Sequence, residues 1–240
     1  MSNLPPYKIF ALGDAAISVD FGNIINDTIN DTVISLFKML QQRPPEGMTE
    51  VVPAYSSLTI YYDVITLRKK IQEEQTVFDW MKNEVLQFLQ QENKIYQNEK
   101  RLINVPVCYE KEFAPDLEWA SAQVKISVKE IIQLHTSKTY RVYMLGFLPG
   151  FAYMGEVDDK IALPRKEKPL PVTSGSVGIA GKQTGVYPLN SPGGWQIIGR
   201  TPLTFFNKEN DEPTPVKAGD SIQFISISKN EFENIKSRHS

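Results

Sequence analysis

The chain has 240 residues, 41% hydrophobic and 22% charged, with a formal net charge of −2. That is apolar material for one large or two small cored domains, and the near-neutral balance excludes the broad positive footprint of a nucleic-acid binder. No stretch approaches the ~20 apolar residues of a bilayer span, and the N-terminal MSNLPPYKIF lacks a signal-length apolar run, so no membrane is expected and the expected location is the cytoplasm.

In chain order, YKIFAL (residues 7–12) and AISVDF (16–21) are β-rich runs separated by the turn pair Gly13-Asp14. Ile25, Ile29, Val33, Leu36, Phe37 and Leu40 follow at spacings of three and four, so they share one helix face. Pro44-Pro45 stops that helix, and EVVPAY and LTIYYD read as two further strands. A second helical region is expected from about residue 66 to 91, with Phe78, Met81, Val85, Leu86 and Leu89 as its apolar stripe. The only basic cluster, Arg68-Lys69-Lys70, falls there and reads as a solvated helix face. The order ββαββα predicts a two-layer α+β domain over residues 1–95. The polar run QENKIYQNEK (91–100) marks the boundary.

The second domain, residues 101–240, opens with a strand at RLINVPVCY. Its Cys108 is the only cysteine, which excludes an internal disulfide and any CxxC metal site, and the strand context points to a buried thiol. PDLEWASAQ carries Asp116 and Glu118 where a helix N-terminus favours negative charge. SVKEIIQLH places Glu130 three residues after Ser127, the capping-box spacing. Beyond TYRVYMLGF the pattern changes. Ten of the fourteen glycines lie between Gly146 and Gly199, and short apolar runs alternate with turn residues. That predicts a β-barrel or compact β-sandwich, closed by the alternating strand DSIQFISIS. The tail reads as a short helix or as disorder, and His239 stands at its frayed end.

The stretch 176–202 holds six glycines and three prolines, with Lys182 and Arg200 as its only charges. GIAGKQTG fails as a phosphate-binding loop: Ser176 stands where the first glycine belongs, and Gln183 replaces the required Ser/Thr. Glycines at barrel corners explain part of the composition. Between them lie polar groups suited to a small ligand with an amide or carboxylate: Gln183, Thr184, Tyr187, Asn190, Ser191, Arg200 and Thr201. Gly193-Gly194 would let backbone N–H groups face an anion. GFLPGFAYMG supplies the aromatics Phe147, Phe151 and Tyr153, which either wall a pocket, seal a partner contact or plug the barrel end. Asp158-Asp159 reads as a solvated turn, since nothing completes a metal site.

YMLGFLPGFAYMG and SGSVGIAGKQTGVYPLNSPGGWQIIGRTP, with VVPAYSSLTIYYD and VPVCYEKEFAPDLEWA, resemble the family named for subunit 1 of allophanate hydrolase. That family is also described as the C and D subdomains of a biotin-dependent carboxyltransferase domain. The resemblance covers nearly the whole chain. It implies an α+β N-terminal domain plus a mainly-β cyclophilin-like barrel C-terminal domain. Stand-alone bacterial members resemble the B component of an ATP-hydrolysing 5-oxoprolinase, which implies a companion oxoprolinase C component and, more loosely, an A component as partners. One member is an inhibitor of a sporulation histidine kinase, so a kinase is the alternative partner. A carboxyltransferase role would need a biotin carrier, which this chain lacks. One departure stands out: Leu170 occupies about the place of a family arginine, so either Arg165, Lys166 or Lys168 takes over any anion contact made there, or the ligand differs.

The resemblance implies that ATP is used by the complex and that this chain alone binds no cofactor. Within its cleft, Arg200 is the expected clamp for a carboxylate or phosphorylated oxygen, unless it is a strut across the barrel. Gln183 and Asn190 are expected to bond an amide, with Arg165, Tyr187, Ser191, Gly193 and Gly194 completing the substrate contacts. His135 is the candidate for proton transfer, although its place one turn after Ile131 also suits a packed histidine. Phe147, Leu148 and Phe151 are the expected partner contact.

Overall fold

A computed structural model of the chain describes residues 4–90 and 101–238. The boundary stretch 91–100 and His239 lie outside the described residues. Two compact units are present, Met1–Glu99 and Lys100–Ser240.

The first unit runs β1 (Lys8–Ala11), β2 (Ala16–Asp20), α1 (Asp27–Gln42), β3 (Met48–Pro53), β4 (Ser57–Tyr62), α2 (Val64–Arg68) and α3 (Val77–Gln90). Its sheet is antiparallel in the order β1-β2-β4-β3. Alternation sends Ile17 and Val19 of β2 and Leu58, Ile60 and Tyr62 of β4 to one face. There they pack with Val33, Leu36 and Leu40 of α1 and Met81, Val85 and Leu89 of α3. Asn26 caps α1 by accepting the Ile29 N–H at 3.1 Å. The buried Asn30 donates to the Ala54 and Tyr55 carbonyls, fixing α1 to the β3–β4 turn.

The single helix expected over 66–91 is two helices. The Arg68 guanidinium donates to the carbonyls of Gln72, Glu73 and Gln75, holding the intervening backbone in a turn. Thr76 then restarts the helix, its hydroxyl oxygen accepting the Asp79 N–H at 3.0 Å. Lys70, in that turn, pairs with Glu46. The basic cluster is therefore the end of α2 and the turn beyond it, not one helix face.

The second unit continues with β5 (Leu102–Cys108), α4 (Leu117–Val124), α5 (Val128–Thr136), β6 (Thr139–Leu145) and β7 (Ala152–Gly155). After a short 3-10 turn (Asp159–Ile161) come β8 (Leu170–Val172), β9 (Ser176–Ala180), β10 (Gln183–Val186), β11 (Ser191–Gly193), β12 (Gln196–Arg200), β13 (Ser221–Ile227) and α6 (Lys229–Arg238). Seven strands close a barrel in the order β10-β7-β6-β13-β5-β12-β9, while β8 and β11 form a separate pair. The fold is thus an α+β unit followed by a mainly-β barrel unit. Val105, Val142, Met154, Val177, Ile179, Val186, Ile198 and Phe224 fill the barrel.

The first and last strands, β5 and β13, are parallel neighbours, with Leu102 opposite Ser221 and Cys108 opposite Ile227. Arg101 braces this seam through two bonds to Asp220, 2.6 and 3.2 Å. Ser127 caps α5 by accepting the Glu130 N–H. Asp116 makes no side-chain cap at α4; its carboxylate accepts the Ile197 N–H at 2.6 Å instead. The tail is helical because Ser228 and Glu231 cap each other's backbone N–H groups. Phe232 is buried against Phe113, ring centroids 4.4 Å apart.

Candidate functional site

The glycine-rich strands make an unusual outer surface on the barrel. Ala152, Met154, Val177, Ile179 and Val186 belong to the interior cluster. Alternation therefore turns Tyr153, Gly178, Ala180, Gln183 and Gly185 outward. Gly178 and Gly185 are register partners on β9 and β10, which leaves a patch free of side chains. A Cβ on Gly185 would stand 2.9 Å from the Ala152 carbonyl oxygen, 3.1 Å from Trp195 Cζ3 and 3.3 Å from Phe151 Cζ. The glycine is needed because the aromatic rings occupy that space.

Phe151 is the hub of those rings. It meets Tyr187 and Trp195 edge-on, centroids 5.1 and 5.3 Å away, and Tyr153 at 4.7 Å. Phe147 stands edge-on to it at 5.7 Å. Burial pushes the Tyr187 and Tyr153 hydroxyls toward higher pKa, and the Arg165 charge opposes the shift in both.

Arg165 sits on a loop that is fastened on both sides. The Gln196 side chain donates to the Pro164 carbonyl at 3.0 Å. The Lys166 N–H donates to the Gly194 carbonyl at 2.7 Å. The Lys166 ammonium pairs with Asp116 and donates to the Trp195 carbonyl at 3.0 Å. Beside this loop lies an open cleft of about 770 Å³, lined by Trp119, Arg165, Lys168, Leu170 and Gln196 together with the Asp116–Lys166 pair. Leu170, in the place expected for an arginine, is the β8 partner of Gly193.

The residues expected to share one concavity divide between two places. Gln183 pairs with Ala180 at one end of β9, whereas Arg200 pairs with Ser176 at the other. Four residues of strand separate them, about 13 Å. Asn190 lies with Arg200: its side-chain oxygen accepts the Ser174 N–H at 2.7 Å, and Arg200 Nε–H donates to the Ser174 carbonyl at 2.9 Å. Arg200 also borders a pocket of about 160 Å³ with Thr201, Phe232 and Lys236. Burial lowers its pKa, and Glu233 acts in the opposite sense. Arg200 is thus a strut at the far end of the barrel from Gln183.

Tyr187 is buried in the aromatic cluster, edge-on to Trp195 with ring centroids 6.5 Å apart. Gly193 packs against the Tyr187 ring: a Cβ there would come within 2.7 Å of it. The Gly194 carbonyl holds Lys166. Ser191 lies on β11 opposite Val172, its hydroxyl oxygen buried without a hydrogen-bond partner among the described residues.

His135 is withdrawn from proton transfer. It is completely buried, and Phe224 stacks on its ring at 4.6 Å. The Thr184 hydroxyl donates to the Gly178 carbonyl at 3.1 Å, so His135 Nε2–H donates to Thr184 at 2.9 Å. Nδ1 then accepts from the Tyr109 hydroxyl at 2.8 Å. Burial lowers its pKa to about 3, so it is a neutral latch between α5 and the barrel wall.

Phe151 is likewise withdrawn as a partner contact, being 1% exposed, whereas Phe147 is 64% exposed. Phe147 holds φ at 67°, a backbone region that disfavours bulky side chains. Leu148 is half-buried against the aromatic cluster.

GIAGKQTG is a β-hairpin turning at Gly181-Lys182, with Gly181 at φ 58°. Asp158 caps the 3-10 turn, and Asp159 pairs with Lys182 at 2.7 Å. Among the described residues no cluster of His, Cys, Asp or Glu could hold a metal ion, and no helix is long and apolar enough to cross a membrane. Sequence reasoning missed Asp116, Trp119 and Trp195 as parts of this region. Trp195 directly follows Gly193-Gly194, and that adjacency was the available signal.

Residues 7–216 match the family model described as the carboxyltransferase domain, subdomain C and D. Over 232 residues the chain is 41% identical to the B subunit of 5-oxoprolinase from Bacillus subtilis (strain 168), covering 96% of this chain and 97% of that protein. The crystal structure of TTHA0988 matches with a TM-score of 0.75 at 30% identity, over 89% of this chain and 40% of that one, so this chain spans well under half of its length. Urea carboxylase of Kluyveromyces lactis matches with a TM-score of 0.71 at 18% identity, over 97% of this chain and 23% of that one, which is a likeness of fold.

Proposed function

The chain belongs to the carboxyltransferase subdomain C and D family, and from that premise we propose that it is the B component of an ATP-dependent 5-oxoprolinase. The observation that carries this reading is the 41% identity to a protein of that name, over almost the full length of both chains. The reaction converts 5-oxoproline, ATP and water to glutamate, ADP and phosphate. Phosphorylation of the lactam oxygen turns a stable amide into an activated one, and water then opens the ring.

Within that complex the chain handles substrate rather than ATP. Its contribution is the outer barrel face, where Gln183 supplies an amide and Arg165 a cation beside an aromatic floor. A companion C component completes the pocket, and an A component joins the assembly. Phe147, exposed on its turn, supports a protein contact.

The test is reconstitution. The chain, co-purified with its two companions, is expected to release glutamate and phosphate from 5-oxoproline and ATP. A strain lacking this gene is expected not to grow on 5-oxoproline as sole nitrogen source. Growth without the gene, or full turnover by the companions alone, overturns the assignment and leaves kinase inhibition as the surviving reading.

A further inference from the structure

We propose that Arg165 anchors the carboxylate of a small organic acid in the cleft between α4 and the 164–168 loop, and that Lys166 and Asp116 are positioning residues for it. The identity of the acid as 5-oxoproline rests on the oxoprolinase reading above; the carboxylate site itself does not.

The geometry points this way for three reasons. First, the loop is fixed immediately before and after Arg165, through Pro164 and through both the backbone and the ammonium of Lys166. A binding group is preorganised when its neighbours are already bonded, because less freedom is lost on binding. Second, Arg165 is exposed, and among the described residues it has no ion pair. The Asp116 carboxylate is committed elsewhere, to Lys166 and to the Ile197 N–H. Glu167 and Lys168 also line the cleft, and with Arg165 they sum to one positive charge. Third, Trp119 and Leu170, 44% and 52% exposed, add apolar surface to a lining that is otherwise mostly polar.

A planar fork without an ion pair among the described residues, beside the exposed faces of Trp119 and Leu170, suits a ligand with a carboxylate at one end and a compact, weakly polar body at the other. The Arg165 charge also opposes the burial-driven rise in the Tyr153 and Tyr187 pKa values. A five-membered lactam carrying a carboxylate meets this description. Its uncharged analogue, 2-pyrrolidinone, lacks the anchoring group.

The test follows the Arg165 Nε–H signal by NMR in the full chain, identified by its loss in Arg165→Gln, during titration with 5-oxoproline, acetate or 2-pyrrolidinone. Movement with both carboxylates and none with 2-pyrrolidinone is expected. In the reconstituted complex, Arg165→Gln is expected to raise KM for 5-oxoproline by about 10- to 100-fold, the range for a lost charge-assisted bond. Lys166→Met is expected to weaken 5-oxoproline binding several-fold, with rescue by Lys166→Arg. A signal indifferent to carboxylates, or an unchanged KM in Arg165→Gln, overturns the site while leaving the oxoprolinase assignment intact. A wild-type complex without turnover, but with carboxylate-responsive Arg165, overturns the assignment and leaves the site.

Discussion

Asn190 and Arg200 hold one residue from two sides: the first accepts the Ser174 N–H, the second donates to the Ser174 carbonyl. Together they fix the turn that leads into β9, at the end of the barrel away from Gln183. Arg200→Ala is therefore expected to act on stability. Loss of the Nε–H bond should cost about 1–3 kcal/mol, read as a lower urea midpoint. KM for 5-oxoproline in the reconstituted complex should stay at the wild-type value. A large rise in KM with unchanged stability would return Arg200 to the substrate site.

His135 makes stability depend on pH. Its folded pKa, about 3, lies below the ordinary histidine value of 6.5, so the folded state keeps the ring neutral. Below pH 6.5 the unfolded chain takes up a proton that the folded chain refuses. The stabilisation is full above 6.5 and is lost as pH falls toward 3, with a limiting slope of about 1.4 kcal/mol per pH unit. His135→Gln should remove that slope between pH 6.5 and about 4.5. It should also lower stability at neutral pH by about 2–4 kcal/mol, because Tyr109 and Thr184 lose their shared partner. Parallel pH profiles for variant and wild type would contradict the sealed, neutral ring.

Gly185→Ala tests the aromatic floor. The added methyl group would meet the Ala152 carbonyl, Trp195 and Phe151 at 2.9–3.3 Å. Overpacking of this kind costs about 1–3 kcal/mol, and the rings must shift to relieve it. A changed tryptophan emission spectrum and a lower unfolding temperature are the expected signatures. An unaltered spectrum would mean the floor is not packed as described.

Phe147 sits at positive φ with its ring exposed, a conformation that costs an L-residue about 1–2 kcal/mol. Phe147→Gly removes that cost, whereas Phe147→Ala keeps it. The glycine variant of the isolated chain should therefore be at least as stable as the alanine variant, reversing their usual order. Both should weaken association with the companion C component about tenfold or more in a pull-down titration. Wild-type affinity in both variants would remove Phe147 from the interface.

Much of the fold was readable because its signals are local. The alternation in β2 and β4 and the spacing within α1 express burial of one face, and Ser127 with Glu130 marks the start of α5. The glycine density after residue 146 announced strands with close approaches. Other features depend on partners remote in sequence. Arg68 ends α2 through carbonyls that follow it, which no periodicity encodes. Asp116 looked like a charge placed for a helix dipole, yet it serves Lys166, fifty residues away. Gln183 and Arg200 lie close together in a polar-rich stretch, and only the register across β9 shows that they sit at opposite ends. His135 carried both readings in its helical spacing, and the depth of its burial decided between them.

The pairing of β5 with β13 also governs the order in which the chain can mature. A polypeptide leaving the ribosome completes its N-terminal sheet and helices early. The barrel cannot shut until Ile227 has emerged, because its opening strand must wait for its closing one, which lies far along the chain. Long-range closure of this kind is slow relative to local helix formation. Until then β6 and β5, the two strands that flank β13, each keep an open edge, which gives chaperones a window on the unfinished barrel.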